Sequence, residues 1–267
     1  DDEAAREALS LVEGGTLPME VMRVLIGAFG SAGTPVAQEA LVDLIQDGSM
    51  EPGVRMSALV AMAEPKRPTV EARKALCSLV NPEDRRGLGS TVLLVLGAMT
   101  KRLVDAGDPA SAELSSFLLQ QEASFKAAGQ ETSFLNAIGN SGSSKGFDTA
   151  VSYLEDPSER IRGKAVNALR HMSHQGVTGH LAQALQDPSL SVQLFALKGL
   201  HGRSYESNSA KAVRDLVVSS TSPQVRKMAV LYFGKHRDQE GVLEVLSDVS
   251  LQDPNEDVRI AAEKFLF

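Results

Sequence analysis

The sequence predicts an all-α protein, a right-handed α-α superhelix or solenoid of about eight antiparallel helix pairs with no sheet. Three observations predict it. One phrase returns at a near-constant spacing, and the windows between turn residues carry apolar side chains three to four apart. No segment alternates polar and apolar residues with the β-branched or aromatic enrichment of a strand.

The repeat is plainest in the second half. Residues 154–169 read LEDPSERIRGKAVNAL, and residues 185–200 read LQDPSLSVQLFALKGL. Asp156-Pro157, Asp187-Pro188, Ser222-Pro223 and Asp253-Pro254 each open such a helix, with Pro-to-Pro steps of 31, 35 and 31 residues. A looser copy starts at Glu51-Pro52. Asp or Ser before Pro supplies an N-cap acceptor, and Pro at the first helical position loses no needed hydrogen bond, so a helix is expected to begin there. Ile161, Ala165, Ala168 and Leu169 then fall on one face, as do Val192, Ala196, Gly199 and Leu200. Their small members admit a close neighbour.

Shorter amphipathic segments separate these helices: GFDTAVSYLED, VTGHLAQALQD, AKAVRDLVVSS and QEGVLEVLSDVS. Each unit is therefore a helix pair that cannot bury both its apolar faces alone and must stack on the next pair. Residues 1–84 fit less regular helices: REALSLVEG, PMEVMRVLIGAFG, TPVAQEALVDLIQD, PGVRMSALVAMA and TVEARKALCSLV. The loop NPEDRRGLGS reads as a bend, and residues 85–132 as irregular middle helices that include ASAELSSFLLQQEASFKAAG as a single helix. Regular repeats are expected over 133–267, the whole of 1–267 forming one array.

The pattern of a short helix, Asp-Pro, Val-Arg shortly after, then Ala and Ala-Leu at helical spacing resembles a HEAT repeat. The resemblance implies a ladder between the turn Asp and the second-helix Arg, here Asp156, Asp187 and Asp253 with Arg162, Arg226 and Arg259. Gln193 departs from the pattern, so the ladder is expected to break there. STVLLVLGAMTKRL, the helix after it, and TSFLNAIGNSGSSKGFDTAVSYLED are similar to the α-helical domain of the large lipid transfer proteins (vitellogenin, lipophorin and the microsomal triglyceride transfer protein). This likeness runs from about Met19 to Leu200, with LNAIGNSG at 135–142 its most telling phrase. It implies lipid as a partner and an extracytoplasmic location, in a family whose helical layers wrap a lipid cavity built by flanking β-sheets. No such sheets are legible in these residues.

With 34 acidic and 27 basic residues and a net charge of -7, the chain opposes a broad nucleic-acid footprint. Cys77 is the sole cysteine, so no internal disulfide forms, and its setting, VEARKALCSLV, suits a small apolar filler. No apolar run reaches the length of a membrane span. The start, DDEAAREALS, reads as that of a processed or trimmed chain.

Chemistry-bearing groups are sparse. His171 and His174 in HMSH have a spacing compatible with one helical face and His180 lies close, but no Cys or carboxylate completes a metal set, and histidines at helix ends suit the helix dipole. RRGLGST lacks the Lys and the preceding strand of a P-loop. GSSKG around Ser144 lacks the strand of a nucleophile elbow. The repeated His-Glu pairs of the HEAT-like deoxyhypusine hydroxylases are absent, as are the basic, Trp-bearing faces of the HEAT-like glycosylases; the bilin lyases on such repeats have no short motif to test. The expectation is a non-catalytic scaffold without metal or cofactor, binding a protein partner or a neighbouring domain of its own chain. The lipid-carrier domain and a lyase-type enzyme are its alternatives. By analogy the second helix of each pair offers the binding face, through Lys164, Asn167, Arg170, Lys198 and Lys227.

Overall fold

A computed structural model describes residues 2–14, 17–84 and 88–267. These form seventeen α-helices and one 3-10 turn, with no strand among the described residues. The chain divides into two compact units, 1–146 and 147–267. The boundary lies after the phrase LNAIGNSG, the second unit beginning fourteen residues later than the start of the regular repeats expected at 133.

The first unit holds α1 (Asp2–Glu13), α2 (Met19–Ala32), α3 (Pro35–Gln46), α4 (Pro52–Ala61), α5 (Val70–Leu79), α6 (Gly89–Asp105), α7 (Ala110–Gln120), α8 (Glu122–Ala127) and α9 (Glu131–Ser141). Its starts are written locally. Thr34 precedes Pro35, and its hydroxyl accepts the Ala37 amide at 3.2 Å; Thr69 does the same for Ala72 at 3.1 Å. Between α3 and its neighbours lies Gln38, 1% exposed. Its amide donates to Gly33 O (2.9 Å) and Arg67 O (3.0 Å), and its carbonyl accepts Thr69 N–H (2.8 Å). The buried side chain thus finds three backbone partners in two turns, which is why a polar residue is tolerated there.

The segment expected as one helix at 110–129 turns at Gln121 instead and forms α7 and α8, with Phe125 of α8 fully buried. α6 and α9 pack closely: a Cβ on Gly97 would lie 2.4 Å from the carbonyl oxygen of Ala137. The glycine of VLGAM and the alanine of LNAIG are therefore a matched pair. Gly142 ends α9 at φ 60°, the left-handed cap that glycine adopts without strain.

The second unit is four helix pairs: α10 (Phe147–Ser152) with α11 (Glu159–Leu169), α12 (Val177–Ala184) with α13 (Leu190–His201), α14 (Ser207–Ser219) with α15 (Pro223–Lys235), and α16 (Val242–Gln252) with α17 (Glu256–Glu263). The second helices α11, α13, α15 and α17 stack in order. Ile161, Val192, Val225 and Val258, one per repeat, are buried between pairs. Gly199 is small for a packing reason, since a Cβ there would lie 2.7 Å from Leu181.

The helix starts correct the sequence reading. In α11, α13 and α17 the N-cap is Ser158, Ser189 or Asn255, two residues after the Asp and one after the Pro. Asp156, Asp187 and Asp253 are not the N-caps of these helices; each turns the chain by accepting the amide two residues on, at 2.8 Å. Among these four second helices only α15 has the repeat's proline at the first helical position, with Ser222 as cap; in the first unit Pro52 of the looser copy opens α4 in the expected way. Before α15 Ser220 takes the place of Asp, its hydroxyl accepting Ser222 N–H at 3.3 Å. Counted on the turn residue, the repeat steps are 31, 33 and 33 rather than 31, 35 and 31.

Candidate functional site

Each second helix carries a long polar side chain six residues after its turn. Arg162, Gln193, Arg226 and Arg259 donate to the carbonyls of Asp156, Asp187, Ser220 and Asp253 at 2.9, 2.8, 2.9 and 2.7 Å. The two internal arginines also reach forward. Arg162 grips the Asp187 carboxylate through Nε (2.7 Å) and Nη2 (3.0 Å); Arg226 grips Asp253 in the same way (2.7 and 2.9 Å). Arg162 thus pairs with the carboxylate of the next turn, not with that of Asp156. At the intervening rung both members change together, Gln193 for Arg and Ser220 for Asp, so no charge is left unpaired. The buried Oε1 of Gln193 has no partner.

Burial works against the Asp187 carboxylate, yet Arg162 and the Ser189 amide hold it below its ordinary range. For Asp253 the Arg226 hydrogen bonds dominate over burial and have the same effect.

A second ladder runs along the opposite ends of these helices, and the sequence reading missed it. Arg203, just past α13, donates to Met172 O at 2.8 Å and Arg170 O at 3.5 Å at the end of α11. Lys235, at the end of α15, donates to His201 O at 2.6 Å at the end of α13. Cations here satisfy orphan carbonyls and the negative end of the dipole. The signal was present as basic residues closing each second helix, but which carbonyl each would reach depends on the neighbouring repeat.

Between two of these ends opens a cleft of about 460 Å³, lined by Arg170, His171, Met172, Ser173, Lys198 and Arg203 among others. Arg170 Nε donates to His171 Nε2 (3.0 Å), and Lys198 lies 5.9 Å from the centre of the Phe195 ring. Burial pulls the Arg203 guanidinium downward, with Glu206 opposing, and its Nε is buried without a partner. Of the five residues expected on a binding face, Arg170 and Lys198 line this cleft. Lys227 is exposed on α15, and Lys164 and Asn167 are half-buried on α11.

The remaining candidates are committed elsewhere. His174 stacks on Phe147 with ring centres 3.7 Å apart and accepts the Gly176 amide at Nδ1 (3.1 Å), while His180 lies 5.6 Å from the same ring. No group of three or more His, Cys, Asp or Glu among the described residues is arranged to hold a metal. Residues 85–87 of RRGLGST lie outside the described residues. The amides at the start of α6 are taken by the chain's own Asp84, which accepts Leu88 N–H at 3.1 Å and Gly89 N–H at 3.4 Å. Lys145, beside Ser144, donates to Ala112 O and Ser116 Oγ, both at 3.2 Å. The Cys77 thiol is pushed up to about 11 by burial and then by Glu113, which keeps it protonated.

Known proteins bear on this architecture. The vitellogenin TPR domain matches residues 16–194, more than half of the chain. The chain belongs to the vitellogenin TPR-domain family. HEAT repeats match residues 177–266, which include the whole Arg226–Asp253 rung and the Asp187 half of the Arg162–Asp187 rung. No curated protein matches the chain.

Solved structures similar to it are helical-repeat proteins. The complex of CpcE and CpcF of phycocyanin lyase from Nostoc sp. PCC7120 is 14% identical over 98% of this chain and 93% of that one, with a TM-score of 0.49. Human deoxyhypusine hydroxylase in complex with glycerol is 16% identical over 99% and 95%, with a TM-score of 0.42. The archaeal HEAT-like repeats protein from Thermococcus onnurineus NA1 is 14% identical over 94% and 96%, with a TM-score of 0.39. No helix of the described residues is long and apolar enough to cross a membrane.

Proposed function

We propose that the chain is a non-catalytic helical-repeat scaffold whose second unit binds an acidic segment of a protein partner or of a neighbouring domain of its own polypeptide. The cleft of Arg170, Lys198 and Arg203 carries this reading. It gathers three basic side chains in a chain of net charge -7, with Arg203 held at its wall by the carbonyls of Met172 and Arg170. The Asp/Arg ladder, in contrast, is consumed by the fold and is assigned a structural role.

The test is fluorescence anisotropy with a labelled twelve-residue Glu/Asp peptide and a Lys counterpart. The acidic peptide is expected to bind, more weakly as salt rises, and Lys198→Glu with Arg170→Glu should weaken it at least tenfold. Equal binding of both peptides, or an unaltered affinity in the double variant, would overturn the reading.

Membership of the vitellogenin TPR-domain family favours a second reading, the helical domain of a lipid carrier. Native mass spectrometry of the protein recovered gently from its source separates the two. Lipid-sized adducts that survive washing favour the carrier, and a stoichiometric protein adduct favours the scaffold.

A further inference from the structure

The connection between α11 and α12 places a serine among the cations of the Lys198 cleft. Residues 172–174 belong to no helix or turn, and Ser173 is exposed, its hydroxyl making no hydrogen bond among the described residues. It lines the cleft together with Arg170, Lys198 and Arg203, and none of the lining residues is acidic. Arg170 uses Nε for His171, and Arg203 uses Nη2 for the carbonyls of Met172 and Arg170. The terminal nitrogens of Arg170 and the exposed ammonium of Lys198 are left to meet an anion.

The local sequence points the same way. Ser173 stands in ALRHMSH, with Arg170 three residues before it, and no other serine or threonine of the chain has an arginine at that place. Basophilic serine kinases select their acceptor through an arginine at this spacing and hold it in extended backbone. A loop offers such backbone without the unwinding of a helix. The residue that marks Ser173 for a kinase is therefore also one that would meet the product.

We propose that Ser173 is a phosphorylation site whose phosphate seats in the cleft and shuts it to the acidic segment. A separate protein kinase supplies the group from a nucleoside triphosphate. The bond from Ser173 Oγ to the γ-phosphorus forms, the bond from that phosphorus to the bridging oxygen breaks, the hydroxyl proton leaves, and the nucleoside diphosphate departs. The ester carries a charge of about -1.5 to -2 at pH 7 and three acceptor oxygens, enough to engage Arg170 and Lys198 together. Because it is tethered at the cleft, it competes as an intramolecular ligand with a partner that must arrive from solution. The shutting rests on the reading of the cleft as a receptor for an acidic segment; the seating of the phosphate does not.

Seating is read by phosphorus NMR on the whole protein, with phosphoserine introduced at position 173 during synthesis by a phosphoserine-specific tRNA. Neighbouring cations favour the dianion, so the phosphate should lose its second proton at least about half a pH unit lower than in a free phosphopeptide of residues 165–180, where it titrates at about 6. Lys198→Glu, a change at an exposed side chain, should raise it again to the peptide value or above. A titration equal to that of the free peptide, or one indifferent to Lys198→Glu, would overturn the proposal.

Modification and shutting have their own readouts. The unmodified protein, given a purified basophilic kinase and its nucleoside triphosphate, should take up one phosphate, located at Ser173 by mass spectrometry and missing from Ser173→Ala; uptake elsewhere with Ser173 bare contradicts the assignment. In the anisotropy assay the phosphorylated protein should bind the Glu/Asp peptide at least tenfold more weakly than the unmodified one. Undiminished binding would refute the shutting. Should the unmodified protein not bind that peptide at all, the acidic-partner reading and the shutting fall together, and the phosphorus titration decides the seated phosphate by itself.

Discussion

Replacing Arg226 with alanine should be the most damaging single change in the second unit. The side chains of Arg226 and Asp253 are 7% and 4% exposed, and two short hydrogen bonds join them. Removing the guanidinium leaves a buried carboxylate with the Asn255 amide still bound and strips the Ser220 carbonyl of its donor. Breaking a buried pair from one side costs about 3–5 kcal/mol, and the surviving amide bond argues for the lower figure, about 3 kcal/mol. For a chain of this size that corresponds to a fall of roughly 6–12 °C in melting temperature. Arg162→Ala should cost less, because its pair is 14% and 10% exposed. Arg259→Ala, which loses one hydrogen bond from the guanidinium to a backbone carbonyl, should cost about 1.5 kcal/mol.

The assay is built into the sequence. There is no Trp, and the three tyrosines, Tyr153, Tyr205 and Tyr232, all lie in the second unit. Tyrosine fluorescence during urea unfolding therefore reports on that unit alone. Arg226→Met combined with Asp253→Leu should recover most of the loss, since a buried pair exchanged for apolar residues is near neutral. A midpoint for Arg226→Ala indistinguishable from that of Arg259→Ala would refute the reasoning.

Other consequences are as direct. Burial and then Lys235 depress the protonation of His201 and His236, whose Nδ1 and Nε2 are buried without partners. The unfolded chain takes up their protons first, so stability should be level above about pH 7 and fall as pH drops below about 6.5. His201→Gln with His236→Gln should flatten that fall. Asp187 and Asp253 are depressed in the fold, so their contribution is complete above about pH 4 and disappears only in stronger acid, a second step visible in the same titration. Gln38→Ala removes three part-buried hydrogen bonds to two turns and should cost about 1–3 kcal/mol, seen by circular dichroism but not by tyrosine fluorescence. Gly97→Val pushes side-chain atoms into the Ala137 carbonyl and should melt the first unit at least 5 °C lower by the same optical measurement.

The helices were legible in the residues because their causes are local. Apolar spacing, Thr34 before Pro35 and the small residues of LNAIGNSG act within one or two turns of chain, and they also carried the resemblance to the vitellogenin helical domain. Of the expected ladder, Arg162, Asp187, Arg226 and Asp253 form ion pairs, and their residue types were legible within single repeats. The partner of each was not. Arg162 reaches Asp187 rather than Asp156, Ser220 rather than Ser222 stands at the third rung, and Arg203 and Lys235 cap helices of the preceding repeat. These pairings cross 25 to 34 residues of chain. Only stacking one pair on the next brings such groups within hydrogen-bond reach, so sequence periodicity determined the repeat, and packing decided which charges meet.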